Sequence, residues 1–172
     1  MKKISIVVQT ALVAGILNCV AWYGFARSIG FYEVKVYMYR NYLTFALLMI
    51  GIFISIFLIK RRDGGYIEFK NAVKNGILFS FILAVVMAIF NFIYYTFITP
   101  DTIDFFLSEA KNFMLQNPDK FKVEDIPKYL DGERGNFSSF KLIPPILFFG
   151  LLVSLLAAAI LQKKNPNKIM EN

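Results

Sequence analysis

Four long apolar stretches occupy most of this 172-residue chain. They run over Ile4–Ala26, Tyr37–Ile59, Gly76–Thr99 and Leu142–Gln162. Each is long enough to cross a hydrocarbon layer about 30 Å thick, because a helix rises about 1.5 Å per residue. Arg40 is the only Asp, Glu, Lys or Arg in any of the four. We therefore predict an all-α protein with a single membrane domain over 1–172, built as an integral membrane four-helix bundle.

The composition favours lipid as the surrounding medium and excludes several kinds of site. Hydrophobic residues make up 57% of the chain and come in blocks rather than at the spacing of a soluble core. The chain has no histidine and one cysteine, Cys19. A Cys/His zinc site, a His-based triad, a histidine-ligated haem and an internal disulfide are therefore excluded. We expect no cofactor and no metal, since the dispersed acids of 124–133 predict a solvated face rather than a cation site.

The first stretch has two interpretations. Lys2 and Lys3 precede an apolar run, as in a secretory signal peptide. However, the run is about twice the usual length of a signal-peptide core. It is also interrupted by Gln9, Thr10 and Asn18, and no A-x-A cleavage site follows. We predict a retained span.

The connections between the spans predict an orientation. The connection Lys60–Lys74 holds five basic residues in fifteen, whereas Pro100–Lys141 holds six that are balanced by eight acidic residues. Basic residues in short loops are retained in the cytoplasm, so we predict that Lys60–Lys74 and both termini are inside and that 100–141 is external. The net charge of +7 then reflects topology and contacts with anionic lipid. We expect no nucleic-acid partner.

Aromatic residues cluster at the predicted external ends of the spans. They are Trp22, Tyr23, Tyr32, Tyr37, Tyr39, Tyr42, Tyr94 and Tyr95. Rings with polar tips are favoured where hydrocarbon meets the lipid headgroups. The pattern predicts an aromatic belt at this boundary, and its one-sided loading also raises the hypothesis of a pocket in the outer leaflet.

Small residues recur at every fourth position in three of the spans. The series are Ala11–Gly15–Cys19, Gly76–Ser80–Ala84–Ala88 and Gly150–Ser154–Ala158. Residues four apart share a helix face, and small side chains let helices approach closely in lipid. Asn18 and Asn91 continue two of these faces at similar depth. We predict that both amides face the interior of the bundle, near each other, either as interhelical hydrogen bonds or as part of a polar cavity.

Arg40 and Arg27 are both predicted at the level of the external headgroups. An arginine costs about 2.5 to 3.5 kcal/mol at the bilayer centre, but near a helix end it can reach the interface cheaply. Both are therefore expected as snorkelling anchors. As an alternative they form, together with Tyr95 and the other tyrosines, a contact for a lipid phosphate, because a guanidinium fork matches this oxyanion.

The glycine-containing connection predicts a turn at Asp63–Gly65 and then a short interfacial helix. The apolar face of that helix would comprise Ile67, Phe69, Ala72 and Val73.

In the external segment, Thr99-Pro100-Asp101 predicts a helix start with Thr99 as N-cap. An apolar stripe from Ile103 to Met114 follows, and it should lie on the membrane or on the bundle. Glu124–Gly135 is polar and rich in Gly and Pro, which predicts a loop with a short helical piece. Together these features predict an external amphipathic helical hairpin.

One pattern spans nearly the whole chain. It reads Arg61-Arg62-Asp63-Gly64-Gly65-x-Ile67-x-Phe69-x-x-Ala72-x-x-x-Gly76, then Tyr95-x-x-Ile98-x-Pro100-Asp101, and closes on Lys163-Lys164. The chain thereby resembles the domain-of-unknown-function 4199 family of small four-pass inner-membrane proteins common in Bacteroidetes. The resemblance implies four passes and a location in the bacterial inner (plasma) membrane. It implies no activity and no catalytic residue. We interpret the glycine motif as structural.

The function predicted from these features is that of a non-enzymatic envelope protein. It would act as a scaffold or subunit that binds lipid, another membrane protein or a second copy of itself, with contacts at Asn18, Arg27, Arg40, Asn91 and Tyr95. A small oligomeric transporter or channel is the first alternative, although spans one, three and four lack Asp, Glu, Lys and Arg. The second alternative is an enzyme acting on lipid-linked substrates at the outer face.

Overall fold

A computed structural model describes residues 5–163, with the backbone alone at 34–37 and 136. Six α-helices account for most of it: α1 Ile6–Ile29, α2 Val34–Arg62, α3 Phe69–Ile93, α4 Thr102–Leu115, α5 Ile126–Asn136 and α6 Ile143–Leu161. A π-helical turn, Tyr94–Ile98, extends α3, and 3-10 turns at Val123–Asp125 and Ser139–Leu142 precede α5 and α6. Predictions that concern Lys2, Lys3, Ile4, Lys164 and the side chain of Tyr37 lie outside the described residues.

The predicted four-helix membrane bundle is confirmed. Four helical segments are long and apolar enough to cross a bilayer: Ile6–Ile29, Met38–Arg62, Phe69–Ile98 and Ser139–Leu161. Three helices run further than predicted, since α1 continues to Ile29, α2 continues to Arg62 and α3 already begins at Phe69. Most of the added residues are polar. They can still be helical, because a helix does not have to end where the hydrocarbon ends.

Helices α2 and α3 lie at the centre of the bundle. Both contact α1 on one side and α6 on the other. The two ends of the bundle differ. We call the end that carries α4 and α5 the hairpin end, and the end that carries the loop Asp63–Glu68 the loop end.

The small-residue faces pack as predicted. A Cβ built on Gly76 of α3 would overlap the side chain of Ser154 on α6, and one built on Gly150 of α6 would overlap Ser80 on α3. The two serine hydroxyls donate to carbonyls of their own helices, Ser80 to Gly76 at 2.9 Å and Ser154 to Gly150 at 2.5 Å. Small size, rather than hydrogen bonding between helices, therefore lets α3 and α6 approach each other.

The loop end is closed by backbone pairing. Gly64 and Gly65 adopt left-handed φ values of 73° and 88°, which favour glycine. The Gly65 N–H returns to the Lys60 carbonyl at 2.8 Å and closes the end of α2. Ile67 then exchanges two backbone hydrogen bonds with Lys163, at 3.0 and 2.9 Å. This pairing was not predicted, and it ties the loop to the end of α6.

The predicted turn at Asp63–Gly65 is thus confirmed, but the separate interfacial helix is wrong. Residues from Phe69 onward belong to α3 itself. Ile67 and Ala72 are buried in the main core of the bundle. Their apolar face therefore packs on the other helices. Beside the turn, a hydrogen bond from the exposed Arg62 lowers the pKa of the Asp63 carboxyl.

The helical hairpin is confirmed, with two local corrections. Helix α4 begins at Thr102, and Thr99 is not its N-cap, because the Thr99 N–H closes the π-helical turn on the Tyr94 carbonyl at 2.9 Å. Glu124–Gly135 is mostly helix rather than loop, since α5 covers eleven residues from Ile126. Pro127 fits in its first turn, and Ile126 is buried. Packing of Ile126 outweighs the low helix propensity of the two glycines.

Candidate functional site

A polar cluster lies inside the bundle near the hairpin end, where α1, α2 and α3 meet. We call it the Arg40 cluster. It comprises Asn18 and Trp22 of α1, Arg40 and Thr44 of α2, and Asn91 and Tyr95 of α3 and its π-helical turn. All except the partly buried Arg40 are buried. The sequence predicted four of these residues as site residues: Asn18, Arg40, Asn91 and Tyr95.

Arg40 turns into the bundle instead of snorkelling outward. Its Nη1 donates to Asn91 Oδ1 at 3.4 Å and to Tyr95 Oη at 3.3 Å, and its Cζ lies 5.0 Å from the centre of the Trp22 ring. The two hydrogen bonds are long, so each is weak. The face of an indole ring also attracts a cation, and more strongly where water is excluded. The expected snorkelling geometry of Arg40 is therefore wrong.

A short chain of hydrogen bonds joins α1 to α2 below Arg40. Asn18 Nδ2 donates to Thr44 Oγ1 at 2.8 Å, and the Thr44 hydroxyl donates to the Arg40 carbonyl at 2.8 Å. Asn18 and Asn91 both face the interior, as predicted. Their hydrogen-bond partners, however, both lie on α2, so the two amides are linked through Thr44 and Arg40.

Aromatic rings form one wall of the cluster. The Trp22 ring centre lies 4.3 Å from that of Tyr94 and 5.2 Å from that of Phe90. Trp22, Tyr94 and Tyr95 are buried, so the prediction that they belong to the interfacial belt is wrong. A π-helical turn changes the rotation of the residues within it, and here two consecutive tyrosines are buried. Tyr23, Tyr32, Tyr39 and Tyr42 are exposed, as belt residues would be.

Arg27 is not part of this cluster. It is exposed in the last turn of α1, where its charge complements the helix dipole. Arg27 and Arg40 therefore do not share one buried site.

Sequence reasoning missed Thr44 and the role of Trp22. A signal was present for both, since Thr44 follows Arg40 by four residues and Trp22 follows Asn18 by four. Residues at this spacing share a helix face. Comparing the inward faces of neighbouring helices at equal depth would have placed Thr44 and Trp22 beside the predicted site residues.

The chemistry that the cluster offers is binding by one cation, amides and hydroxyl groups. A cavity of about 210 Å³ adjoins it, with Arg40, Asn41 and Thr44 on one side and apolar residues of α2, α3 and α6 on the other. Among the described residues, no three His, Cys, Asp or Glu side chains are grouped so that they could hold a metal ion.

The glycine motif at the loop end is structural throughout. Gly64 and Gly65 form the turn, Ile67 pairs with Lys163, Ala72 is buried, and Gly76 packs on Ser154.

Comparison with known proteins places the chain in a family. The family described as "Protein of unknown function (DUF4199)" matches residues 9–163. No curated protein and no solved structure matches the chain. With four helices able to span a bilayer and a match over most of its length, this chain is a multi-pass membrane protein that belongs to the DUF4199 family.

Proposed function

We propose that this protein is a non-enzymatic scaffold or subunit of the bacterial inner membrane, which presents its α4–α5 hairpin to another membrane protein. The observation that carries this proposal is the apolar surface of the hairpin. Large hydrophobic side chains outside the four spans are exposed there: Phe105, Phe113, Leu115, Val123 and Tyr129. Exposed apolar residues that lie together often mark an interaction surface.

Three of the aromatic rings form a group that we call the tip cluster. Phe121 lies between Phe113 of α4 and Tyr129 of α5, with ring centres 6.2 and 5.9 Å apart. Phe113 and Tyr129 are 57% and 50% exposed. Clustered aromatic side chains contribute large contact area for little conformational entropy, and they are enriched at interface hot spots.

The hairpin is held against the bundle by further aromatic contacts. The Tyr95 ring of the Arg40 cluster lies 5.9 Å from Phe137, which stacks on Phe106 of α4 at 6.1 Å. Tyr32, just before α2, lies 5.0 Å from Phe105. A binding surface that is already ordered loses less entropy when a partner docks. This favours a role for the Arg40 cluster in positioning the hairpin.

The same arrangement favours binding over catalysis. The side-chain hydrogen bonds of the cluster run between its own members, Asn18 to Thr44 and Arg40 to Asn91 and Tyr95, and they join α1, α2 and α3. A reaction centre instead has to direct a nucleophile or a proton donor at a substrate. Polar side chains that join helices stabilise one arrangement of the bundle, which is what a scaffold requires.

A photo-crosslinking amino acid at Tyr129 should capture one distinct membrane protein in intact cells. Adding Phe113→Ser to the same chain should remove most of this product. Phe113 and Tyr129 are the two rings that contact Phe121, so the substitution disrupts the tip cluster and leaves the crosslinker in place. The matched control is Lys128→Ser, which changes the exposed neighbour of Tyr129 and should leave the product unchanged. Crosslinks to lipid alone, or equal yields from all three chains, would contradict the partner hypothesis.

The proposal places both termini and the loop end in the cytoplasm and the hairpin outside. Reporter tags near Gly64 and Gly132 should therefore report opposite compartments, with the tag near Gly64 active only as a cytoplasmic reporter. The reason is the excess of Lys and Arg in Lys60–Lys74. If the two tags shared a compartment, the four-pass orientation would be wrong.

A further inference from the structure

We infer that a groove on α3 binds one acyl chain of an anionic phospholipid from the leaflet at the hairpin end. The groove has a volume of about 640 Å³. Its floor is one face of α3, made by Val85, Ala88, Ile89 and Phe92, and residues 137–140 together with Ile143 form one wall. This surface is distinct from the tip cluster, so the inference goes beyond the proposed function and does not depend on a protein partner.

The length of the groove matches one leaflet. The lining residues of α3 and its π-helical turn run from Val85 to Thr96, which is about 16 Å at about 1.5 Å per residue. Half of a 30 Å hydrocarbon core is about 15 Å. Val85 also lies near the middle of the span Phe69–Ile98. The groove therefore extends from the bilayer centre to one surface, as an acyl chain does, whereas a transmembrane partner helix would follow the whole span.

The polarity of the groove changes along its length in the same way as that of a lipid. Its floor is apolar, whereas hydroxyl groups of Thr96, Ser138 and Ser139 line its end near the hairpin. Ligand sites commonly combine apolar walls with a few polar groups that fix the orientation of the ligand. Here the hydroxyl groups are at the level where the ester and phosphate oxygens of a phospholipid would lie.

Although the hairpin segment as a whole is slightly acidic, one basic side chain close to the groove favours an anionic headgroup. Lys141 follows Ser139 by two residues and is exposed in the same 3-10 turn. A basic side chain near the membrane surface attracts anionic lipid by about 1 kcal/mol. Phe140, which lines the groove and is 76% exposed, sits between the two residues and forms the outer rim. The combination predicts phosphatidylglycerol as a better ligand than phosphatidylcholine.

The experiment uses the full chain in vesicles of phosphatidylethanolamine and phosphatidylglycerol. A trace of phosphatidylglycerol carries a diazirine on its acyl chain, and labelled peptides are mapped by mass spectrometry after illumination. We expect labelling at Ile89 and Phe92 several-fold above that at Val20 of α1, which is 65% exposed and, like Ile89, lies nine residues from the hairpin end of its span. A phosphatidylcholine probe with the same diazirine should label the groove less.

Two variants fill the groove. Ala88→Phe blocks its floor, and Ile89→Trp adds bulk at a position that is already 56% exposed, so it should not disturb the fold. Both should reduce labelling at Phe92 to the level of Val20, while the control Val20→Trp, at the same depth on α1, should not. Equal labelling of Phe92 and Val20 in the wild type would overturn the site. Equal labelling by the two probes would overturn the preference for an anionic headgroup.

Discussion

The substitution Gly76→Leu is expected to lower the free energy of unfolding of the bundle by about 1 to 3 kcal/mol. Gly76 of α3 faces Ser154 of α6, and even a Cβ at this position would overlap the serine side chain. A change of the Ser154 rotamer cannot relieve this, because the overlap includes the Ser154 Cβ, which is fixed to the backbone of α6. The overlap has to be relieved by moving α3 and α6 apart, and most of the packing between them would then be lost.

The pairing of Gly76 with Ser154 can be tested by exchange. Gly76→Ser alone should lower the free energy of unfolding. Gly76→Ser combined with Ser154→Gly again pairs one serine with one glycine at this contact, and it should recover most of the lost free energy. Residues in direct contact commonly show coupling of about 0.5 to 3 kcal/mol in such a cycle. Unfolding in detergent, followed by far-ultraviolet circular dichroism, measures the four free energies.

The control for bulk in a span is Gly24→Leu. Gly24 lies in α1, and a Cβ there meets no atom within 4 Å, so the change should be nearly neutral. If Gly24→Leu cost as much as Gly76→Leu, the loss would come from the residue type rather than from the contact between α3 and α6. If the exchanged pair were no more stable than Gly76→Ser, the two residues would not pack as described.

The substitution Trp22→Ala should lower the free energy of unfolding by about 3 kcal/mol, the largest effect of any single truncation. Trp22 is 1% exposed and contacts Tyr94, Phe90 and the guanidinium of Arg40. Truncation leaves a cavity and removes the ring that stabilises the charge of Arg40. The value is placed at the low end of the usual range because the unfolded reference of a membrane helix still holds its side chains in lipid.

The variant Trp22→Phe distinguishes the contribution of the aromatic ring from that of the indole N–H group. Trp22 Nε1 is buried, and no described residue accepts a hydrogen bond from it. Trp22→Phe should therefore recover most of the stability, since it keeps an aromatic face and loses no hydrogen bond. Tyr42→Ala is the control, because Tyr42 is 66% exposed and its truncation leaves no cavity. A loss for Trp22→Phe equal to that for Trp22→Ala would contradict the cation–π and packing roles.

Much of the packing could be predicted from residue spacing. The series Gly76–Ser80 and Gly150–Ser154 were predicted as close-packing faces, and they are the residues through which α3 and α6 meet. Asn18 and Asn91 were predicted to face inward because they continue such faces, and both are buried. In both cases the face of a regular helix follows directly from positions four residues apart.

Prediction was wrong where local chemistry and tertiary packing disagree. Trp22, Tyr94 and Tyr95 have the composition of an interfacial belt, but a π-helical turn and the ring of Trp22 place them in the interior. The residues of α5 have low helix propensity, but Ile126 is buried and the helix forms. The irregular turn and the burial of Ile126 leave no signal in the local sequence, whereas the inward direction of Trp22 could have been inferred from its position four residues after Asn18.

The amino-acid sequence by itself determined the number of passes, the all-α class and the small-residue faces, because hydropathy and helix periodicity are properties of each segment alone. Only the tertiary structure decided that Arg40 points inward, that Thr44 and Trp22 join it, and that Lys163 pairs with Ile67. These contacts depend on how each helix is rotated against its neighbours and on where its ends meet other segments. The rotation of each helix and the contacts of its ends are set by the packing of all the helices together.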